Sequence, residues 1–205
     1  WTRHSPALPL YAVADAKRAV GMIKVVAAGR RARVGDVGIE FTPVGHLLGA
    51  TALTLRADDR TLVFSGDVGR SNDLLMPAPR TVPQADVLLI ESTYGDRLHP
   101  NDDAQARLGD IIRTTTRRGG SVLLPSFAVG RAQALLLVLQ RLKAAGEIPA
   151  QLPIYLDSPM ANAATELYLR HRKLLRISAA EASTLTDQVT IVGKPLESTR
   201  LTRSH

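Results

Sequence analysis

Phe64-Ser65-Gly66-Asp67-Val68-Gly69-Arg70 sets a carboxylate between two glycines directly after a run of strand-forming residues. Thr61–Ser65 reads as a strand, and open sheets place their sites at the carboxyl ends of strands. Thr51–Arg56, on the other side of the turn-forming pair Asp58-Asp59, completes a hairpin with it. Further upstream, Val37, Ile39 and Phe41 alternate with Gly38 and Glu40, the period of a half-buried strand, which Pro43 ends. Before that, Val13, Ala16, Val20 and Ile23 recur at helical spacing, predicting an amphipathic helix over residues 14–25 behind an irregular, Pro-rich start. A loop holding Pro77, Pro79 and Pro83 leads to another strand, Asp86–Glu91. The first half is therefore mainly sheet.

Beyond Gly95 the rhythm changes. A helix is expected from Asn101, whose side chain can cap its first turn, to about Arg118, where Gly119-Gly120 ends it. Val122–Leu124 reads as a short apolar strand, and a second helix runs from Gly130 to Ala145 and stops at Gly146. Strand Ile154–Leu156 follows, then a helix with Ser158 as cap and Pro159 at its first position. Val189–Val192 is a further strand. Strands alternating with long helices imply right-handed crossovers and a parallel sheet. The fold class is α/β, with a first unit over residues 1–96 and a second over 97–205.

Composition narrows the chemistry. The 205 residues are enough for one large or two small cores, with 45% hydrophobic and 22% charged residues, as in soluble globular proteins. The longest apolar run, Ala134–Leu139, is far short of the roughly 20 residues that span a bilayer, so no membrane is expected and the expected location is the cytoplasm. The net charge of +7, carried mostly by Arg, suits a polyanionic partner but equally a solvated basic surface. With no cysteine there is neither a disulfide nor a thiolate ligand, so any zinc site must use His and carboxylates. Trp1 in the first position and the ending Thr202-Arg203-Ser204-His205 lead us to expect a central piece of a longer protein.

Two other stretches accompany Asp67. Gly45-His46-Leu47-Leu48-Gly49-Ala50 puts an imidazole on a Gly-flanked turn, where it could ligate a metal or be an ordinary turn residue. Glu91-Ser92-Thr93-Tyr94-Gly95 puts a carboxylate at the end of the apolar run Val87–Ile90, as a cap or as a catalytic group. Asp67 itself could be a structural turn. Taken together, one His and two acids at the tips of strands are the makings of a hydrolase with N and O ligands.

These three motifs, with Leu124-Pro125-Ser126-Phe127-Ala128-Val129-Gly130-Arg131-Ala132-Gln133 and Tyr155-Leu156-Asp157-Ser158-Pro159-Met160-Ala161, resemble the β-CASP branch of the metallo-β-lactamase superfamily in order and spacing over residues 37–165. The resemblance implies part of an αββα sandwich followed by a parallel-sheet β-CASP domain. It implies a ribonuclease that hydrolyses RNA phosphodiesters with two zinc ions, in RNA processing or decay. His46 would ligate one ion and Asp67 both, while Glu91 would hold a proton-donating His. RNA is the implied partner, and self-association as a homodimer is left open.

Ser126 to Arg131 read as a strand-to-helix turn whose free amides and Arg131 could hold a phosphate, unless it is a buried turn in which Phe127 and Val129 pack. For Asp157-Ser158-Pro159, helix capping is the better reading. The family's His-x-His-x-Asp-His signature and its two downstream histidines are absent, and His4, His99, His171 and His205 match no motif. The piece is accordingly expected to be inactive by itself. The alternatives are a non-catalytic RNA-binding paralogue and another hydrolase of the same fold, such as a DNA nuclease or thioesterase.

Overall fold

A computed structural model describes residues 9–27, 29–98 and 103–204, the last two without their side chains. Helix α1 (Val13–Gly21) comes first, and then a five-stranded sheet built from β1 (Arg31–Val34), β2 (Val37–Pro43), β3 (Thr51–Ala57), β4 (Arg60–Phe64) and β5 (Val87–Leu89). The order is sequential, β1-β2-β3-β4-β5; the first three pairings are antiparallel and β4 pairs β5 in parallel. The hairpin at Asp58-Asp59 forms as expected, with Asp58 at φ 50°, a backbone position that Asp tolerates better than most residues. Alternation along β3 buries Ala52 and Thr54, and Val63 of β4 lies on the same covered face. Among the described residues the first half is α1 followed by this single sheet.

Several expectations shift. Helix α1 ends at Gly21 rather than near residue 25, and none of its side chains is buried. Strand β1 was not anticipated. Ala32 and Val34 alternate with Arg31 and Arg33, but the signal is only four residues long; the clearer clue is the Gly35-Asp36 turn, where Gly35 takes φ 58°. Strand β5 is shorter at both ends than the expected Asp86–Glu91.

The second half runs α2 (Ala104–Arg117), α3 (Arg131–Ala144), β6 (Ile154–Asp157), α4 (Pro159–Arg170), a 3₁₀ turn at Arg172–Leu174, α5 (Ala179–Thr184), β7 (Val189–Val192) and α6 (Pro195–Ser204). Strands β6 and β7 pair in parallel, as the alternation of strands and helices required. Asp103 caps α2 by accepting hydrogen bonds from the amides of Gln105 and Ala106; the expected cap, Asn101, lies outside the described residues, as do His4, His99 and His205. Ser158 caps α4 with Pro159 at its first position, as read from the sequence.

The expected strand Val122–Leu124 does not form. The segment keeps a strand-like alternation, with Val122 and Leu124 packed inward and Leu123 88% exposed, but no described neighbour offers it a ladder. Apolar alternation predicts which side chains turn inward; pairing needs a partner as well.

Helix α3 is the centre of the second half. Leu136 and Leu137 face one apolar cluster with Tyr168, Leu175 and Leu185, while Val138, Leu139 and Leu142 face another with Ile112 and Ile148. The first cluster also takes in Leu75 and Met76, from the loop that follows β4. Arg176 reinforces this junction: its amide donates to the Leu75 carbonyl, and its guanidinium donates to the carbonyls of Ser71 and Asp73. The loops that leave the sheet and the helical half thus share a core. Among the described residues, no helix is long and apolar enough to cross a membrane.

Candidate active site at the sheet edge

Three loops leave the sheet at the same end: residues 44–50 between β2 and β3, residues 65–70 after β4, and residues 90–95 after β5. They carry His46, Asp67 and Glu91 respectively, and backbone contacts lock them together. The Gly69 amide donates to the Val44 carbonyl at 2.8 Å. Gly69 lies so close that a Cβ there would stand 2.1 Å from the Gly45 oxygen and 2.6 Å from the His46 nitrogen, so only glycine fits. Gly45 is equally confined, at φ 65° with a would-be Cβ 2.1 Å from the Pro77 carbonyl oxygen. The Asp67 and His46 loops are in direct contact.

Glu91 closes the third side. Its carboxylate accepts from the Val68 amide at 3.1 Å and from the Thr93 amide at 3.2 Å, while its own amide donates to Ser65 Oγ at 2.9 Å. The Val68 amide, then that of Thr93, hold the carboxyl below its ordinary value; the Thr93 side chain and the nearby His46 ring pull the same way. Glu91 therefore stays ionised and clamps the residue beside Asp67 to the loop it opens itself. That bracing was not read from the sequence, which offered only a cap or a catalytic group.

His46 and Asp67 are both exposed at this edge. Their imidazole and carboxylate suit zinc as donors. Among the described residues, however, no group of three or more His, Asp or Glu side chains gathers to hold a metal.

The Ser126–Arg131 turn reaches this region from the other half. Gly130, at φ 79° and ψ −63°, is the N-cap of α3, and a Cβ on it would stand 2.4 Å from Leu47 Cδ2, beside His46. Ser126 and Arg131 are exposed there. So are Phe127, at 84%, and Val129, at 39%, so of the two readings the buried turn in which they pack is not the one observed. The reason is local: the Ala132 amide donates to the Phe127 carbonyl, a tight turn that leaves the Phe127 ring on the rim.

What fixes the turn is Gln133, whose exposure is 0%. Its Oε1 accepts from the Gly130 amide at 2.7 Å. Its Nε2 donates to the Ala128 carbonyl at 3.1 Å and to Thr165 Oγ1 of α4 at 2.9 Å. Sequence reading missed this role; the clue was a polar residue on the apolar face of a helix, three positions after a glycine. Tyr168 makes the matching tie to the loop that carries His46: buried to 1%, it accepts from the Leu48 amide at 3.2 Å. Asp157 and His171 stand apart from these loops in their roles, Asp157 accepting from Ser198 Oγ and His171 ending α4.

Comparison with known proteins agrees with the motifs. Residues 132–205 match the Beta-Casp domain. A ribonuclease of Thermus thermophilus is 39% identical over 163 residues, covering 79% of this chain and 37% of its own. An RNase J-like protein of Methanocaldococcus jannaschii is 32% identical over 140 residues, 66% of this chain and 33% of that one. An endoribonuclease of Schizosaccharomyces pombe is 41% identical over 128 residues, 60% of this chain and 17% of that one. The chain thus spans between about a sixth and two fifths of the length of these relatives. With the motifs in order and the matched domain where they place it, the chain belongs to the β-CASP family of the metallo-β-lactamase superfamily.

Proposed function

We propose that this chain is part of a zinc-dependent ribonuclease that hydrolyses RNA phosphodiester bonds in RNA processing or decay. The observation that carries the reading is the locking of three loops, bearing His46, Asp67 and Glu91, at one sheet edge, with Gly69 pressed on the Gly45–His46 peptide. The names of the relatives supply the substrate class. In this reading residues 1–96 form one part of the αββα sandwich and residues 97–205 the incomplete β-CASP domain.

His46 would hold one of two zinc ions and Asp67 both. When bound, the metal supplies Lewis acidity toward the attacking water and the phosphate. This chain's own residues do the placing. Gly69 and Gly45 bring the two ligand loops within backbone contact, and Glu91 fixes the peptide next to Asp67. Ser126 and Arg131, which flank Phe127 to Gly130 on the turn seated against Leu47, would receive a substrate phosphate. With only two of these ligands, residues 1–205 alone bind zinc weakly and cleave nothing.

The test uses the intact protein. Asp67→Asn keeps the side chain's size but removes the charge that would bridge two cations, so zinc content falls and RNA cleavage drops by orders of magnitude while RNA binding survives. Glu91→Gln slows cleavage yet keeps zinc close to wild type. Full zinc and full turnover in Asp67→Asn would overturn the assignment.

A further inference from the structure

A cavity lies beside the loop that carries His46, and neither His46 nor Asp67 lines it. Its volume is about 560 Å³, within the range of small-ligand pockets. One wall is the loop itself, through Gly45, Leu47, Leu48, Gly49 and Ala50. Phe41, Leu48, Met76 and Leu175 supply an apolar interior, in which Met76 and Leu175 are buried side chains of the shared core. Around it stand three cations, Lys24, Arg80 and Lys173, and among the described residues not one carboxylate lines the cavity. All three are exposed, and among the described residues none is engaged in an ion pair.

An apolar slot with an aromatic ring, rimmed by uncompensated positive charge, matches a planar base joined to a phosphate. The ring and aliphatic walls take the base, and the ammonium and guanidinium groups take the phosphate. A neutral ligand would leave three like charges facing one another, and an inorganic anion would leave the apolar walls uncovered. We propose that this cavity is a nucleotide subsite, filled by one nucleoside-monophosphate unit of the bound RNA strand. The strand as occupant rests on the ribonuclease reading above; the chemistry of the pocket does not. Because the loop that carries His46 forms one wall, a nucleotide seated there steadies that loop from behind.

Calorimetry on the intact protein tests this with 5′-AMP, adenosine, inorganic phosphate and an eight-nucleotide oligouridylate. AMP should bind more than tenfold tighter than either adenosine or phosphate, and the oligonucleotide should compete with it. Arg80→Ala and Lys173→Ala, both surface truncations, should each weaken AMP by about tenfold at an unchanged melting temperature. Arg80→Lys should restore part of the loss. Asp67→Asn should leave AMP affinity as it was, which separates this site from the metal-motif loops: turnover can fail to depend on Asp67 while the pocket still binds nucleotide, and the reverse. Equal affinity for AMP and adenosine, AMP binding indifferent to both truncations, or an oligonucleotide that does not compete would each overturn the proposal.

Discussion

Replacing Gly69 by alanine should damage this protein more than any exposed loop substitution has a right to. The added Cβ would lie 2.1 Å from the Gly45 oxygen, 2.2 Å from the Gly45 carbonyl carbon and 2.6 Å from the His46 nitrogen. Ordinary contact begins near 3.4 Å, so the two loops must part by roughly an ångström. All three obstacles are backbone atoms, and no side chain can rotate away. Overpacking of this kind costs about 1–3 kcal/mol, and the upper end applies because the obstacle is rigid. Parting the loops also breaks the 2.8 Å bond from the Gly69 amide to the Val44 carbonyl, worth about another 1 kcal/mol. The total, about 3–4 kcal/mol, lowers the melting temperature by several degrees in a protein longer than this chain. Calorimetric melting of the intact variant checks it, with Gly193→Ala as control, since nothing stands within 4 Å of a Cβ there. Cleavage per folded molecule should fall as well, because His46 is carried on the displaced peptide. A melting temperature within about a degree of wild type would refute the reasoning, because it would mean that the loops part without cost.

Four other outcomes follow from the same contacts. Gln133→Ala should lose about 3 kcal/mol in denaturant unfolding, since it strands the Gly130 amide and leaves a buried gap between α3 and α4. Tyr168→Phe should cost about 1 kcal/mol by the same measurement and speed hydrogen exchange at the Leu48 amide, which loses its acceptor. Phe127→Ala should change stability by less than about 0.5 kcal/mol, as an exposed ring does, where a packed one would cost several times more. Glu181 is held below its ordinary carboxyl value, first by the Ser178 amide and then by Arg141. A lowered folded value means that this stabilisation is complete above the unfolded carboxyl range and disappears as pH falls through the folded value. Melting temperatures of wild type and Glu181→Gln should therefore differ at neutral pH and converge as pH falls below the ordinary carboxyl range and through the lowered folded value.

Periodicity and turn chemistry made most of the elements legible. Val37, Ile39 and Phe41 announced β2, Asp58-Asp59 the hairpin, and Ser158-Pro159 the start of α4. What stayed hidden depended on partners far away in sequence. Val122–Leu124 had the composition of a strand but, among the described residues, no neighbour to pair with. Phe127 had the composition of a core residue but sits outside a turn set by Gly130. At the candidate site the residue types were legible and their bracing was not: a glycine that bears no side chain gives no sign that a peptide 24 positions away fills its missing Cβ. Glu91 hydrogen-bonded to the Val68 amide and Gln133 to that of Gly130 are likewise facts of packing. They emerge only when the loops meet.

The bond from the Leu48 amide to the Tyr168 hydroxyl joins residues 120 positions apart. On a ribosome adding about 5–20 residues per second, that separation is roughly 6–24 s of synthesis. The hairpin sheet can pair locally long before then, yet the loop beside His46 gains its Tyr168 acceptor only once α4 has left the exit tunnel. Translation speed therefore orders the two events, strand pairing first and the bracing of this loop last.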